Sequence, residues 1–300
     1  MICGRFPYFC SLKIAYIGRL APSPSGLLHL GHFQTFYLAF KRANHRKGKL
    51  LLRVEDLDYQ RCKDKFLDII INDLKWMGIK YDNWNNDENK LCKQSERKLI
   101  YENAWKILYQ NNYIYPSPHS RKDVELSISA PHEGDKEIIF PKTLRQDRPS
   151  GLEEPGKVNW RFRVPDNLVI EFNDIHYGPQ SFTTGVDFGD FLIWRGSDNI
   201  ASYELAVVVD DHEMGVTEVV RGQDLLLSTA RQILLYRAFG YTIPDFFHCP
   251  LMRDGAGKRM AKRDQSTSVE AYRDAGYTPE KLREELFQLS LEEITKIVEE

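Results

Sequence analysis

The sequence predicts an α/β fold: a parallel sheet of nucleotide-binding type, interrupted by an α+β insertion and followed by a short helical C-terminal tail. Three observations predict it. Apolar runs alternate with helix-period segments over residues 14–78, proline and glycine become frequent over 113–202 while helix-period runs grow scarce, and alternation then resumes towards Phe239. Parallel neighbours need a long connection, and helices supply it as right-handed crossovers.

In chain order, residues 1–13 hold a short apolar patch, Phe6–Cys10, with only Arg5 before it and no small-residue cleavage site. That fits an N-terminal tail and not a signal peptide. The apolar run Ile14–Ile17 predicts the first strand. The stretch Arg19–Gly26 predicts a loop, because Pro22, Pro24 and Gly26 fall within five positions. Residues 30–47 lack proline and carry Phe33, Phe36, Tyr37 and Phe40 at helical spacing, so a helix is expected up to Gly48. Leu50–Val54 follows as a strand. Asp64 is placed to cap a helix bearing Phe66, Ile69, Ile70, Leu74 and Met77, which Gly78 ends. Residues 14–112 thus form the first half of a nucleotide-binding domain.

Residues 113–202 read as an inserted α+β module with short strands such as Trp160–Val164 and Leu168–Phe172. Residues 203–267 complete the sheet: the apolar runs Leu205–Val209 and Glu218–Arg221 precede a helical run, Asp224–Phe239, with Leu226, Ala230, Ile233 and Leu234 on one face. Past Leu251, the loop Arg253–Arg263 holds two glycines, which oppose early helix, and four cations within six positions. A polar helical segment, 268–300, ends the chain.

The composition is that of an ordinary globular protein, not of a disordered chain or a coiled coil: 41 Lys+Arg stand against 43 Asp+Glu, with 42% hydrophobic and 28% charged residues. No apolar run approaches the roughly 18 residues a membrane-spanning helix needs, so a membrane partner is excluded. The five cysteines are odd in number, widely spaced and form no C-x-x-C pair, which argues against a disulfide framework and points to reduced thiols in a cytoplasmic protein. A net charge of −2 weighs only weakly against RNA, since an acidic face can offset a basic one.

His29-Leu30-Gly31-His32 stands where a loop becomes a helix, beside open backbone N–H groups and the positive end of a helix dipole. Two histidines three apart can reach one phosphate, and Gly31 removes the Cβ that would block a base or ribose; a surface pair near a cap is the competing explanation. Lys262, with Arg259 and Arg263, could neutralise a pyrophosphate, or be a solvated basic turn. Arg53-Val54-Glu55-Asp56-Leu57-Asp58 ends a strand, where ligands of open α/β sheets bind. Glu55 could take a substrate ammonium, with Arg19 or Arg221 taking a carboxylate; surface ion pairs are the alternative.

Taken together these segments resemble a known family. The stretch Arg19-Leu20-Ala21-Pro22-Ser23-Pro24-Ser25-Gly26-Leu27-Leu28-His29-Leu30-Gly31-His32 resembles the first signature of class I glutamyl-tRNA synthetases, and Arg259-Met260-Ala261-Lys262-Arg263 is similar to their second. Arg53–Asp58 and Val219–Leu226 are similar to two further family segments, and the resemblance covers about residues 14–265. It implies a class I Rossmann-like domain with an inserted tRNA-binding module. Too few residues follow Arg263 for an anticodon-binding domain. The resemblance is therefore to the glutamyl-queuosine tRNA(Asp) synthetase branch, ligase-type enzymes that attach glutamate to the queuosine base of tRNA(Asp).

The resemblance implies that Arg19, Leu20, Ala21, Pro22 and Ser23, with Glu55, Tyr203 and Arg221, hold L-glutamate. It implies that His29, Gly31, His32 and Lys262 bind ATP, with His29, His32 and Lys262 as the catalytic residues. Two arginines, one carboxylate and a phenol match two carboxylates and one ammonium without leaving a charge unpaired, whereas neutral glutamine would leave a cation unmatched. ATP is then a co-substrate, with Mg²⁺ expected on its phosphates. A glutamate carboxylate, already a competent nucleophile at neutral pH, would attack the α-phosphorus.

One departure concerns metal. Relatives typically hold a structural zinc in the insertion by a Cys-x-Cys pair, a tyrosine and a further cysteine; here those positions carry Ser117, His119, Phe140 and Leu144. One histidine does not make a four-coordinate site, and His132 adds no thiolate, so zinc is not expected. Phe140, Leu144, Trp160 and Phe162 are candidates to hold the insertion by packing instead. The expected partners are the tRNA(Asp) anticodon stem-loop, with Trp194 or Tyr177 as stacking platforms or buried structural residues, and the chain is expected to act as a monomer. Alternatives are a truncated synthetase charging the acceptor end of tRNA(Glu) or tRNA(Gln), and a non-catalytic glutamate- or RNA-binding module.

Overall fold

A computed structural model describes residues 15–84, 91–119, 139–147, 149–252, 268–287, 289 and 291–299. The expected N-terminal tail, the cationic loop with Arg259, Lys262 and Arg263, and His132 lie outside the described residues.

Strand β1 (Ile17–Leu20) leads through helix α1 (Leu30–His45) to β2 (Lys49–Val54), which pairs with β1 in parallel, Ile17 opposite Lys49 and Leu20 opposite Leu52. The strand thus takes in Arg19 and Leu20, two residues expected in the loop, and stops before Pro22, which has no N–H to give a ladder. Gly48 packs against the start of β1 so closely that a Cβ there would lie 2.2 Å from the Tyr16 carbonyl oxygen, so no larger residue fits. Helix α2 (Asp64–Trp76) is capped by Lys63 without a side-chain bond, and Asp64 is its first residue instead of its cap. There the carboxylate still favours the positive end of the helix.

β3 (Cys92–Lys93) pairs in parallel with β2 and precedes α3 (Lys98–Gln110), a helix the sequence reading does not anticipate. Its Trp105 stacks on Tyr109, ring centroids 4.9 Å apart, and meets Trp160 edge-on at 5.0 Å, seating the insertion on the first half. The insertion supplies β4 (Ile114–Ser117), β5 (Asn159–Phe162), β6 (Val169–Asp174), β7 (Gly178–Thr183), β8 (Leu192–Arg195) and β9 (Ile200–Ala201). Four of them form an antiparallel sheet in the order β4-β5-β8-β9, while the β6–β7 hairpin pairs elsewhere. Trp194 is fully buried in this sheet, which removes it as a base-stacking platform; Tyr177 is 37% exposed and its hydroxyl meets Gln223.

Helix α4 (Tyr203–Glu213) contains the whole Leu205–Val209 run, which the sequence groups with the strand-like segments. Leu205 to Asp211 are all buried, so no polar face marks the helical period. Its start is set by Ser202, whose Oγ accepts from Leu205 N at 3.4 Å. β10 (Glu218–Gly222), α5 (Leu226–Phe239) and β11 (Asp245–Cys249) follow, with Gly240 in the left-handed region (φ 70°) closing α5. β10 and β11 are parallel, and β11 continues in parallel to β6, giving a second sheet β10-β11-β6-β7. β1 lies beside β10, where Thr217 N donates to the Ile17 carbonyl at 2.8 Å. The carboxyl ends of β1, β2 and β10 therefore converge, the place where open α/β sheets bind ligands.

Helices α6 (Val269–Asp274), α7 (Pro279–Leu286) and α8 (Leu291–Glu299) complete the chain. They are not merely polar: Val269, Leu282, Phe287, Ile294 and Ile297 are buried in the core that also holds Leu20, Leu52 and Phe247. Arg42 of α1 anchors them by donating to the Ile297 carbonyl, while its other nitrogens grip Glu218 at 2.6 and 2.8 Å. Among the described residues no helix is long and apolar enough to cross a membrane.

Candidate active site

A cleft of about 390 Å³ opens at the converging strand ends. Arg19, Ala21, Pro22, Ser23, Glu55, Tyr203 and Arg221 line it, together with His29, Gly31 and His32. Leu20 does not: strand alternation turns it from Arg19 into the core, where it is fully buried. Lys262 lies outside the described residues.

Each charged wall residue is held from behind. Arg19, 4% exposed, donates from Nε to Asp211 Oδ1 at 3.3 Å and from Nη1 to the Val220 carbonyl at 3.2 Å. Arg53 donates to the same Asp211 oxygen at 2.6 Å and to Glu55 Oε1 at 3.1 Å, fixing the glutamate at the cleft. Burial pushes the Glu55 carboxyl up while Arg53 and Arg19 pull it back. Burial alone would also raise Asp211, but Arg53 and Arg19 hold it below the usual carboxylate range. Desolvation pushes the Tyr203 phenol up to about 12, so it stays protonated at neutral pH and can donate.

Arg221 differs from Arg19. Its hydrogen-bond partners among the described residues are all neutral: His248 Nε2 at 3.1 Å, Gln232 Oε1 at 2.8 Å, Thr229 Oγ1 at 2.7 Å and the Leu225 carbonyl at 3.5 Å. Its charge faces the cleft without a directly bonded carboxylate.

His29, which also lines the cleft, caps α1. Gly31 N donates to His29 Nδ1 at 3.1 Å and His29 N to His32 Nδ1 at 3.3 Å, with the two rings 3.9 Å apart. Two helix-start N–H groups expected to be open are thus taken: Gly31 by the His29 ring and His32 N by the His29 carbonyl at 3.0 Å. In exchange, an accepting Nδ1 puts the proton of each neutral ring on Nε2, a donor suited to a phosphate oxygen.

Sequence reasoning missed the residues behind the walls. Asp211, Asp174, His248, Thr229 and Gln232 carry no motif, although two adjacent carboxylates, Asp210 and Asp211, directly after the apolar run Leu205–Val209 were a signal. Asp210 is fully buried and accepts from Gln94, Arg97 and Tyr101 at 2.7 to 3.0 Å, tying α4 to α3.

The insertion positions where the resemblance would put zinc ligands do not fit that ion. Ser117 Oγ is engaged by Arg161 Nε at 3.1 Å, Phe140 lies under the Arg161 guanidinium at 4.1 Å, and Leu144 packs on Tyr115 and Phe140. His119 stands 6.3 Å from the Phe140 ring, and one imidazole does not make a four-coordinate site. Among the described residues no three His, Cys, Asp or Glu gather around a metal-sized space.

The catalytic-domain family of class I tRNA synthetases (E and Q) matches residues 17–299. A glutamyl-Q tRNA(Asp) synthetase of Symbiobacterium thermophilum is 41% identical over 91% of this chain and 86% of its own. One from Nitratidesulfovibrio vulgaris is 41% identical over 86% and 81%. The crystal structure of a glutamate-tRNA synthetase from Elizabethkingia anophelis superposes with a TM-score of 0.75 at 26% identity, covering 95% of this chain and 65% of that one. The chain belongs to the class I tRNA synthetases of the E and Q type, and within them to the glutamyl-Q tRNA(Asp) synthetase family.

Proposed function

We propose that the protein activates L-glutamate with ATP and transfers the glutamyl group to queuosine in the anticodon of tRNA(Asp). The observation that carries it is one cleft lined both by Arg19, Glu55, Tyr203 and Arg221 and by His29, Gly31 and His32. The first four match the charges of glutamate: Glu55 takes the ammonium, the arginines the carboxylates, and the Tyr203 hydroxyl donates. The imidazole Nε2–H groups take phosphate oxygens. A glutamate carboxylate oxygen bonds to the α-phosphorus as the bond to the β-phosphate oxygen breaks, releasing pyrophosphate. The protein contributes alignment and charge stabilisation.

Mg²⁺ accompanying ATP would supply charge neutralisation at the triphosphate beside His29, His32 and Lys262. Lys262 is assigned to the phosphates by the signature it stands in. The antiparallel insertion sheet is assigned to the tRNA, the protein working as a monomer. A cytoplasmic setting accords with five widely spaced cysteines that form no C-x-x-C pair.

Glutamate-dependent ATP–pyrophosphate exchange without tRNA tests the first step. Transfer of labelled glutamate to tRNA(Asp) with queuosine, and not to the same tRNA without it, tests the second. Lys262→Ala is expected to abolish exchange. Exchange that requires tRNA(Glu), or label on its terminal adenosine, would replace the proposal with acceptor-end charging. No exchange with any amino acid would leave a binding module.

A further inference from the structure

Behind Arg221 lies a buried pair that the reaction above does not use. His248 of β11 and Asp174 of β6 are both fully buried. His248 Nδ1 stands 2.6 Å from Asp174 Oδ2, and the His248 backbone N–H also donates to that oxygen, at 3.1 Å. Asp174 Oδ1 accepts from the backbone N–H groups of His176 and Tyr177 at 3.1 and 2.9 Å. Burial alone would raise this carboxyl, but the bonds from His248 and Tyr177 hold it below its ordinary value. An anionic Asp174 accepts only, so the imidazole proton sits on Nδ1 and Nε2 is left as an acceptor. That Nε2 is the atom Arg221 Nε reaches, at 3.1 Å.

We propose that Asp174–His248 is a positioning pair that holds the Arg221 guanidinium through a neutral acceptor, so that its charge is kept for an anionic ligand. It rests on the glutamate reading above only for the identity of that ligand. The contrast with Arg19 and Arg53 carries the argument. Those two arginines share the Asp211 carboxylate, and a carboxylate behind Arg221 would satisfy it in the same way. A neutral imidazole fixes the guanidinium without cancelling its charge. Asp174 bonds the far side of the ring, and Glu204 and Asp211, which also act on Arg221 electrostatically, make no hydrogen bond to it. The groups facing His248 are Asp174 from β6, Arg221 from β10, Arg19 from β1 and the neutral Thr229 from α5, whose Oγ1 lies 3.1 Å from Nε2. Burial and the two arginines push the imidazole below its ordinary pKa, against Asp174, which keeps Nε2 bare at neutral pH.

The tautomer is measured first, on the full chain, by long-range ¹⁵N–¹H NMR correlation of His248. A proton on Nδ1 with bare Nε2 at pH 7.5 is expected; a proton on Nε2, alone or with Nδ1, overturns the proposal whatever the ligand proves to be. Glutamate binding and exchange kinetics then compare wild type with His248→Gln, whose amide oxygen can replace Nε2, and with His248→Leu, which cannot accept. Leaving the Arg221 N–H unsatisfied is expected to raise the KM for glutamate about tenfold, with kcat and the KM for ATP within about twofold. His248→Gln is expected within about threefold of wild type. Equal glutamate KM in all three, or kcat and both KM values falling together with no rescue by Gln, overturns the positioning role. A wild type that binds no glutamate counts against the glutamate reading, while the tautomer still decides how Arg221 is held.

Discussion

Arg53 Nη1 donates to Asp211 Oδ1 at 2.6 Å, and through that one oxygen the end of β2 is bound to helix α4. Arg19 reaches the same oxygen at 3.3 Å, so a single buried carboxylate sets the arginines of two adjacent strands, one facing the cleft and one gripping Glu55. Removing it leaves two buried cations short of a partner. Asp211→Ala is expected to cost about 3–5 kcal/mol, read as a lowered urea midpoint, because breaking a buried pair strands the remaining charge. Asp211→Asn keeps the shape and is expected to fold, with the glutamate KM raised about tenfold or more and the ATP KM little changed. An unaltered glutamate KM in the Asn variant would show that Arg19 is held by the Val220 carbonyl alone.

Gly31 lies between the two histidines, where an added Cβ would stand 3.0 Å from His29 Cε1 and 3.1 Å from Nδ1, the atom that accepts the Gly31 N–H. Gly31→Ala asks the His29 ring to give by a few tenths of an ångström, at the expense of that cap. The cap loss costs about 1 kcal/mol and the better helix former returns about 0.5–1 kcal/mol, so stability is expected to stay nearly level. The displaced imidazole is expected to raise the ATP KM about tenfold or more in pyrophosphate exchange, leaving glutamate affinity in place. A lowered melting temperature with unchanged ATP kinetics would remove the ring from the nucleotide site.

Where relatives are expected to use zinc, Asp190 does the joining. Its carboxylate takes Arg145 at 2.7 and 2.8 Å, the Tyr115 hydroxyl at 2.6 Å and the Val164 N–H at 2.9 Å, linking the stretch after Phe140 to both strand edges. Asp190→Ala is expected to destabilise the insertion by about 3–5 kcal/mol, seen as loss of hydrogen-exchange protection in β4, β5 and β8. Incubation with a zinc chelator is expected to leave melting temperature and exchange activity unchanged. A chelator-induced loss that added zinc restores would overturn the reading of a metal-free insertion.

The parallel half of the fold was legible because α1 and α2 each present one apolar stripe to one core, so sequence period and structure agree. The period failed at the two extremes. Helix α4 is buried on every side and shows no polar face, and α3 carries Leu99 at 75% and Ile107 at 42% exposure, which blur its stripe. The cleft walls were legible from local motifs at strand ends. Their supports were not, because Asp211 and His248 meet Arg19 and Arg221 only through tertiary pairing, and His248 sits in the apolar Phe246–Phe247 run without any local mark. A motif names the residue that meets the ligand; the charge that holds it comes from another strand or helix.

Asp73 of α2 is 1% exposed and accepts from Arg273 Nη1 of α6 at 2.9 Å, a second contact, beside Arg42, that ties the C-terminal helices to the first half. Burial pushes its carboxyl up to about 6 in spite of Arg273, with Glu270 adding to the rise. A folded-state value above the unfolded one means that folding favours the protonated acid. Its contribution is fully present below about pH 4 and is lost as pH rises through 6. At neutral pH the buried charge is therefore a net cost despite its ion pair. Asp73→Asn, whose amide oxygen can still accept from Arg273, is expected to raise stability at pH 7.5 by up to about 3 kcal/mol, the linkage value of roughly two pKa units. The gain should shrink steadily as the pH is lowered towards 4, where the wild-type carboxyl is already neutral in the folded protein. Urea unfolding of both proteins across that range checks the sign: a gain that is constant with pH, or a loss at pH 7.5, would mean that the Arg273 pair outweighs the desolvation of the carboxylate.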